Sequence, residues 1–158
     1  FPTRRSSDLN AVVAGRMAGG SWDKPLDGEV FGFADNGTIL LPENQRGDEV
    51  VRFEKGIVEL TAPLWGSGEL QSVGEVRSLE QEMLAGFADI TAGLEAFGLR
   101  QERRVMRLRP LDSTFEVMEN GDLRIRFDLP KGTYATTLLS ELAELDESSQ
   151  GDVVQPDH

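Results

Sequence analysis

From Ser72 to Phe97 the apolar residues Val76, Leu79, Met83, Phe87, Ile90, Leu94 and Phe97 recur every three or four positions. That period places them on one side of an α-helix, as a single stripe facing a core. Ser72 and Glu75 have the spacing of a capping box, in which each side chain satisfies a free amide of the first turn. Gly98 is placed to interrupt or end the helix. The methionine and phenylalanines of the stripe belong to packing, not to a ligand site.

The rest of the chain supplies strands. Short strands are expected around 30–33 and 38–41, joined by Ala34-Asp35-Asn36-Gly37, whose Asn-Gly pair suits a hairpin turn. A short helix is expected over 48–55, ending at Gly56, followed by an extended run and a glycine-rich loop in GIVELTAPLWGSGEL. A second hairpin pairs 114–118 with 123–129 around Glu119-Asn120-Gly121-Asp122. Its second strand, LRIRFDL, alternates Leu123, Ile125, Phe127 and Leu129 against Arg124, Arg126 and Asp128, the pattern of a half-buried strand. A helix over 133–145 follows, and NAVVAGRM (10–17) reads as the end of another helix, stopped by Gly19, Gly20 and Pro25. Together these elements predict an α+β fold with a change of domain near 108–110. The last thirteen residues are acidic, polar and expected to be disordered.

Composition limits the chemistry. With no cysteine there is no disulfide framework, thiol nucleophile or cysteine-bound zinc. The single histidine is the last residue, His158, which excludes catalysis by a fixed imidazole. No apolar run approaches the roughly 20 residues of a membrane span, and the expected setting is the cytoplasm. GSGEL lacks the lysine and hydroxyl residue of a phosphate-binding loop. Asp23 in SWDKP reads as a turn residue, and Glu80 as a structural hydrogen-bond or salt-bridge partner.

The first nine residues, FPTRRSSDL, differ in composition from the rest of the chain and are the peptide that a common sequencing-adapter oligonucleotide encodes in one frame. They are set aside from fold reasoning, with the expectation that an upstream part of the gene is missing.

A net charge of −12 opposes non-specific binding of nucleic acid, yet charge is unevenly spread. RQERRVMRLRP (100–110) carries five arginines and one glutamate, whereas the chain from Glu141 onward has six acids and no lysine or arginine. Arg103, Arg104, Arg107 and Arg109 are either a solvated helix face or an RNA contact. The one tyrosine, Tyr134, sits beside Gly132 at a strand-to-helix junction, where it is either a packing wedge or a ligand contact.

Four segments share an order and spacing. GIVELTAPLWGSG (56–68), SLEQEMLAGF (78–87), GLRQERRVMRLRP (98–110) and LRIRFDLPKGTYATTLLSEL (123–142) resemble the C-terminal half of the tRNA pseudouridine synthase D family. The most specific is the last: a Leu-Pro strand end, Gly-Ser/Thr-aromatic-Ala-Thr, then a helix. The resemblance covers residues 10–145.

The resemblance implies an isomerase that converts a uridine of tRNA, typically at position thirteen in bacteria, to pseudouridine. It also implies a catalytic aspartate, no metal or organic cofactor, tRNA as partner and a monomeric parent protein. The aspartate lies in a Gly-x-Lys-Asp-type motif in the family's N-terminal half, and no such motif occurs here, so no catalytic residue is assigned. By the same resemblance, residues 10–108 are the later part of a family-specific insertion domain. Residues 109–145 return to the catalytic domain with a hairpin and a helix, and 146–158 form the acidic tail. Tyr134 stands at the aromatic position, usually phenylalanine, that contacts the target nucleotide. The alternative is a stand-alone, non-catalytic RNA-binding or protein-interaction module.

Overall fold

The computed structural model describes residues 2–129 and 135–142. The chain divides into two compact units between Arg109 and Pro110. The first unit is built on a four-stranded antiparallel sheet of order β2-β1-β3-β4. Its strands are β1 (Phe31–Phe33), β2 (Ile39–Leu40), β3 (Val58–Leu64) and β4 (Glu102–Val105). The Asn-Gly hairpin forms as expected, with Phe31 opposite Leu40 and Gly32 opposite Ile39.

Strand β3 is buried at all seven positions, although its sequence nearly alternates apolar with polar residues. One set of side chains, Val58, Leu60, Ala62 and Leu64, is apolar. Val58 and Leu60 pack with Phe31 and Phe53, and Ala62 packs with Val12, Leu70 and Leu84. The alternate set, Glu59, Thr61 and Pro63, includes two polar residues that need partners inside the protein.

Helix α1 (Pro2–Ala18) lies against β3 and against α3 (Gly74–Ala85). It extends back through the adapter-like N-terminal segment, and Leu9 of that segment packs against the cluster around Val12 and Leu84. Gly15 permits the close approach of α1 to α3, because a Cβ there would sit 2.2 Å from Met83 Sδ. Helix α2 (Glu49–Glu54) follows Asp48 and contributes Phe53 to the core.

Two expectations are corrected. The long helix is broken: α3 ends at Gly86, and α4 (Ala88–Ala96) begins after Phe87, whose amide turns back to the Leu84 carbonyl at 2.9 Å. Glycine at the break has poor helix propensity, and the stripe does not stay buried, since Phe97 is exposed. Nor does Ser72 cap the helix. Its hydroxyl donates to Glu80 at 2.5 Å, while the Asp27 carbonyl accepts the Val76 amide at 3.1 Å and the Gly28 carbonyl accepts that of Val73 at 3.1 Å. The cap is thus supplied by the 27–28 loop. Gly28 is required there, with φ of +83° and no room for a Cβ beside the Val73 carbonyl.

The second unit contains the antiparallel hairpin β5 (Leu111–Val117) and β6 (Leu123–Asp128), and helix α5 (Ala135–Leu142). Register places Phe115 opposite Ile125 and Val117 opposite Leu123, so these four share one hairpin face. The other face carries Thr114, Glu116, Arg124 and Arg126. Phe115, Val117 and Leu123 are all exposed.

Candidate nucleic-acid interface

The arginine-rich segment is not a helix face: Arg103 and Arg104 lie on strand β4, and Arg107 and Arg109 follow it in irregular chain. Alternation along β4 sends Arg103 inward and leaves Arg104 exposed. Arg103 lies opposite Pro63 on β3, and its guanidinium is buried against Glu80. Nη2 donates to Glu80 Oε1 at 2.5 Å and to the Thr61 carbonyl at 3.0 Å, Nη1 donates to Glu80 Oε2 at 3.2 Å, and Nε donates to Thr61 Oγ1 at 2.7 Å. Thr61 Oγ1 in turn donates to the Val30 carbonyl at 2.6 Å. Both side chains are almost wholly excluded from solvent, at 0% and 1% exposure. A guanidinium so placed has no face for a phosphate, so the expectation that Arg103 meets RNA gives way to a structural role. Glu80 has the structural role its sequence context predicts.

Arg107 and Arg109 meet on one carboxylate. Arg107 Nε donates to Glu59 Oε2 at 2.9 Å, with Nη2 at 2.8 Å from the same oxygen, while Arg109 Nε donates to Oε1. Arg109 Nη2 also donates to the Phe53 carbonyl at 3.5 Å. Glu59 is buried, whereas the arginine side chains stay 21% and 40% exposed. Two cations on one anion leave a local excess of one positive charge. The Arg107 guanidinium carbon lies 4.8 Å from the Phe53 ring centroid and 5.9 Å from that of Trp22, within cation–π range. The sequence thus places four arginines together, but the structure separates them: Arg103 buried, Arg104 outward on β4, and Arg107 with Arg109 on Glu59.

Trp22 and Glu59 are the residues that sequence reasoning missed. The signal for Glu59 is present in VELTAPL, where the one charged residue sits in a mostly apolar strand and requires a buried cation. Trp22 lies just beyond α1 in a turn held by a second buried pair. Arg16 donates from Nη1 and Nη2 to Glu29 Oε1 and Oε2 at 3.0 and 2.9 Å. Its Nε and Nη2 also donate to the Ser21 carbonyl at 3.2 and 3.0 Å, and Nη2 to that of Lys24 at 3.0 Å. Burial pushes the Glu29 carboxyl above its ordinary range, although the Arg16 bonds and charge oppose this.

Tyr134 lies outside the described residues. Asp23 is exposed in the turn beside Trp22, in keeping with its reading as a turn residue. Among the described residues no three acidic or histidine side chains are grouped to hold a metal ion, and no helix is long and apolar enough to cross a membrane.

A sequence model of the tRNA pseudouridine synthase D (TruD) family matches residues 4–142. The chain belongs to the tRNA pseudouridine synthase D family. Relatives bearing that name include one from Xanthomonas axonopodis pv. citri, 36% identical over 151 residues, which are 94% of this chain and 41% of the relative. Another, from Chromohalobacter salexigens, is 36% identical over 140 residues, covering 89% of this chain and 40% of the relative. The chain thus spans about two fifths of the length of these family members. A crystal structure from Methanosarcina mazei carrying the same family name superposes with a TM-score of 0.64 at 24% identity, over 87% of this chain and 36% of that one. At that identity the likeness speaks for the fold.

Proposed function

We propose that this chain is the C-terminal part of an enzyme that isomerises uridine to pseudouridine in tRNA. It supplies part of the RNA-binding surface and one wall of the base pocket, and the nucleophilic aspartate lies outside it. The observation that carries the reading is the family match over residues 4–142, within relatives of which this chain spans about two fifths. In this reading residues 10–108 are the later part of the insertion domain, and 109–145 belong to the catalytic domain. The hairpin supports that division: Phe115, Val117 and Leu123 stand exposed on one face, and a two-stranded hairpin needs a covering layer to be stable. The parent protein acts as a cytoplasmic monomer without metal or organic cofactor.

The chemistry breaks the glycosidic bond, turns the uracil and rejoins it through carbon. The base has to leave its stack to be reached. Tyr134 offers the flipped uracil an aromatic face, which recovers part of the unstacking cost. Arg104, Arg107 and Arg109 supply phosphate contacts, and Arg103 anchors β4, which carries Arg104 and leads into the segment with the other two.

The test joins this chain to the remaining part of the Xanthomonas axonopodis relative and maps pseudouridine in a tRNA transcript with carbodiimide. The joined protein is expected to form pseudouridine and the 158-residue chain alone to form none. Turnover by the chain alone would overturn the assignment of the nucleophile to the missing part. An inactive but folded joined protein would count against the reading as a whole.

A further inference from the structure

Trp22 belongs to neither hydrophobic cluster of the described residues. The residue is 37% exposed, although it sits in a turn anchored by the buried Arg16–Glu29 pair. The Arg16 guanidinium, itself fully buried, holds the carbonyls of Ser21 and Lys24 on either side of Trp22, and Glu29 neutralises it while accepting the Leu26 amide at 3.4 Å. The turn is therefore pre-organised, and a large flat ring is presented at little further entropic cost. Arg107 approaches the ring at 5.9 Å, and Arg107 and Arg109 share the single carboxylate of Glu59. An exposed indole on a pinned turn, next to an excess positive charge, is the combination used to hold single-stranded nucleic acid, the base on the ring and the phosphates on the cations. In a chain of net charge −12 such a spot is out of keeping with the general surface.

We infer that Trp22 is a stacking platform for an unpaired base of the RNA substrate, with Arg107 and Arg109 contacting the adjoining phosphates. This rests on the reading of the chain as part of a tRNA-modifying enzyme, and it assigns to the first unit a base contact separate from Tyr134. Glu59 is a positioning residue that aims the two arginines.

The full chain carries two tryptophans, so 5-fluorotryptophan gives two ¹⁹F signals, and that of Trp22 is assigned by its loss in Trp22→Phe. Addition of an unmodified tRNA transcript should shift or broaden the Trp22 signal, and heparin, which is charged but has no bases, should leave it in place. Trp22→Ala should weaken tRNA binding about 5- to 150-fold, with Trp22→Phe retaining most of the affinity. Stacking releases no counterions, so Trp22→Ala should keep the salt slope of the wild type. Arg109→Ala should reduce its magnitude by about one. An unmoved Trp22 signal on saturation with tRNA, an equal response to heparin, or a Trp22→Phe variant as weak as Trp22→Ala would each overturn the inference while leaving the tRNA reading standing. A wild-type chain that does not bind tRNA at all would overturn both. The signal is read in the native sequence, so it decides the question even if Trp22→Ala is poorly folded.

Discussion

Replacing Arg103 with methionine should act on stability and not on RNA. In the native protein its guanidinium donates twice to Glu80 and twice to Thr61. The variant leaves the Glu80 carboxylate buried with the Ser72 hydroxyl as its remaining partner among the described residues. Breaking a buried ion pair from one side costs about 3–5 kcal/mol, because the other charge stays desolvated and uncompensated. For a chain of this size that lowers the melting midpoint by roughly 6–20 °C, at about 2–4 °C per kcal/mol. The double variant Arg103→Met with Glu80→Leu removes both charges and should regain much of the loss. It should remain about 1–3 kcal/mol below wild type, since Ser72 then keeps a buried hydroxyl without its acceptor. Urea denaturation of the wild type, both single variants and the double variant completes the cycle and gives the coupling energy. In parallel, the salt dependence of tRNA binding by folded Arg103→Met should match the wild type. A loss below about 1 kcal/mol together with a salt slope reduced by about one would refute this reasoning and return Arg103 to the RNA surface.

Leu9→Ala should cost about 1–2 kcal/mol, less than a fully buried leucine, because Leu9 only partly enters the cluster around Val12; melts that overlay the wild type would show that α1 does not need this residue. Burial alone would raise the Glu49 carboxyl, but the amides of Arg46, Glu49 and Gly47, aided by Arg52, hold it below its ordinary 4.5. Its contribution is therefore present above about pH 4.5 and lost as pH falls through the lowered value, and Glu49→Gln should flatten that part of the acid stability curve; an unchanged acid limb would contradict this. In the joined enzyme Tyr134→Phe should be close to neutral, while Tyr134→Ala should lose about 1–3 kcal/mol, or roughly 5- to 150-fold, in binding or the chemical step. A folded, fully active Tyr134→Ala would make this tyrosine a packing wedge.

Local signals carried the fold a long way. The Asn-Gly pairs at 36–37 and 120–121 mark both hairpins, because that dipeptide tolerates the left-handed backbone such turns need. Gly56 marks the end of α2. The break at Gly86 is a local event, but the other misreadings share one physical cause, which is that partners distant in sequence decide the outcome. Ser72 and Glu75 satisfy the capping pattern, but the 27–28 loop reaches the helix start first and frees Ser72 to serve Glu80. The arginines of 100–110 read as a solvated face because nothing nearby in sequence names their anions. Glu80 is 23 residues from Arg103, and Glu59 is 48 and 50 residues from Arg107 and Arg109.

Those same pairings bear on how an acidic chain could meet RNA. Glu29, Glu59 and Glu80 are buried, each on arginine, so they count towards the formal charge without contributing three free negative charges to the surface. Arg16 and Arg103 are consumed in the same way, one for one. Glu59 is different, because it holds two arginines that both reach solvent. One buried anion holding two solvent-reaching cations leaves a surface with positive excess, which net charge does not register. Glu59→Gln separates this from a purely structural role. If Glu59 aims the cations, the variant weakens tRNA binding although it makes the chain less negative. If only total charge mattered, the variant would bind more tightly.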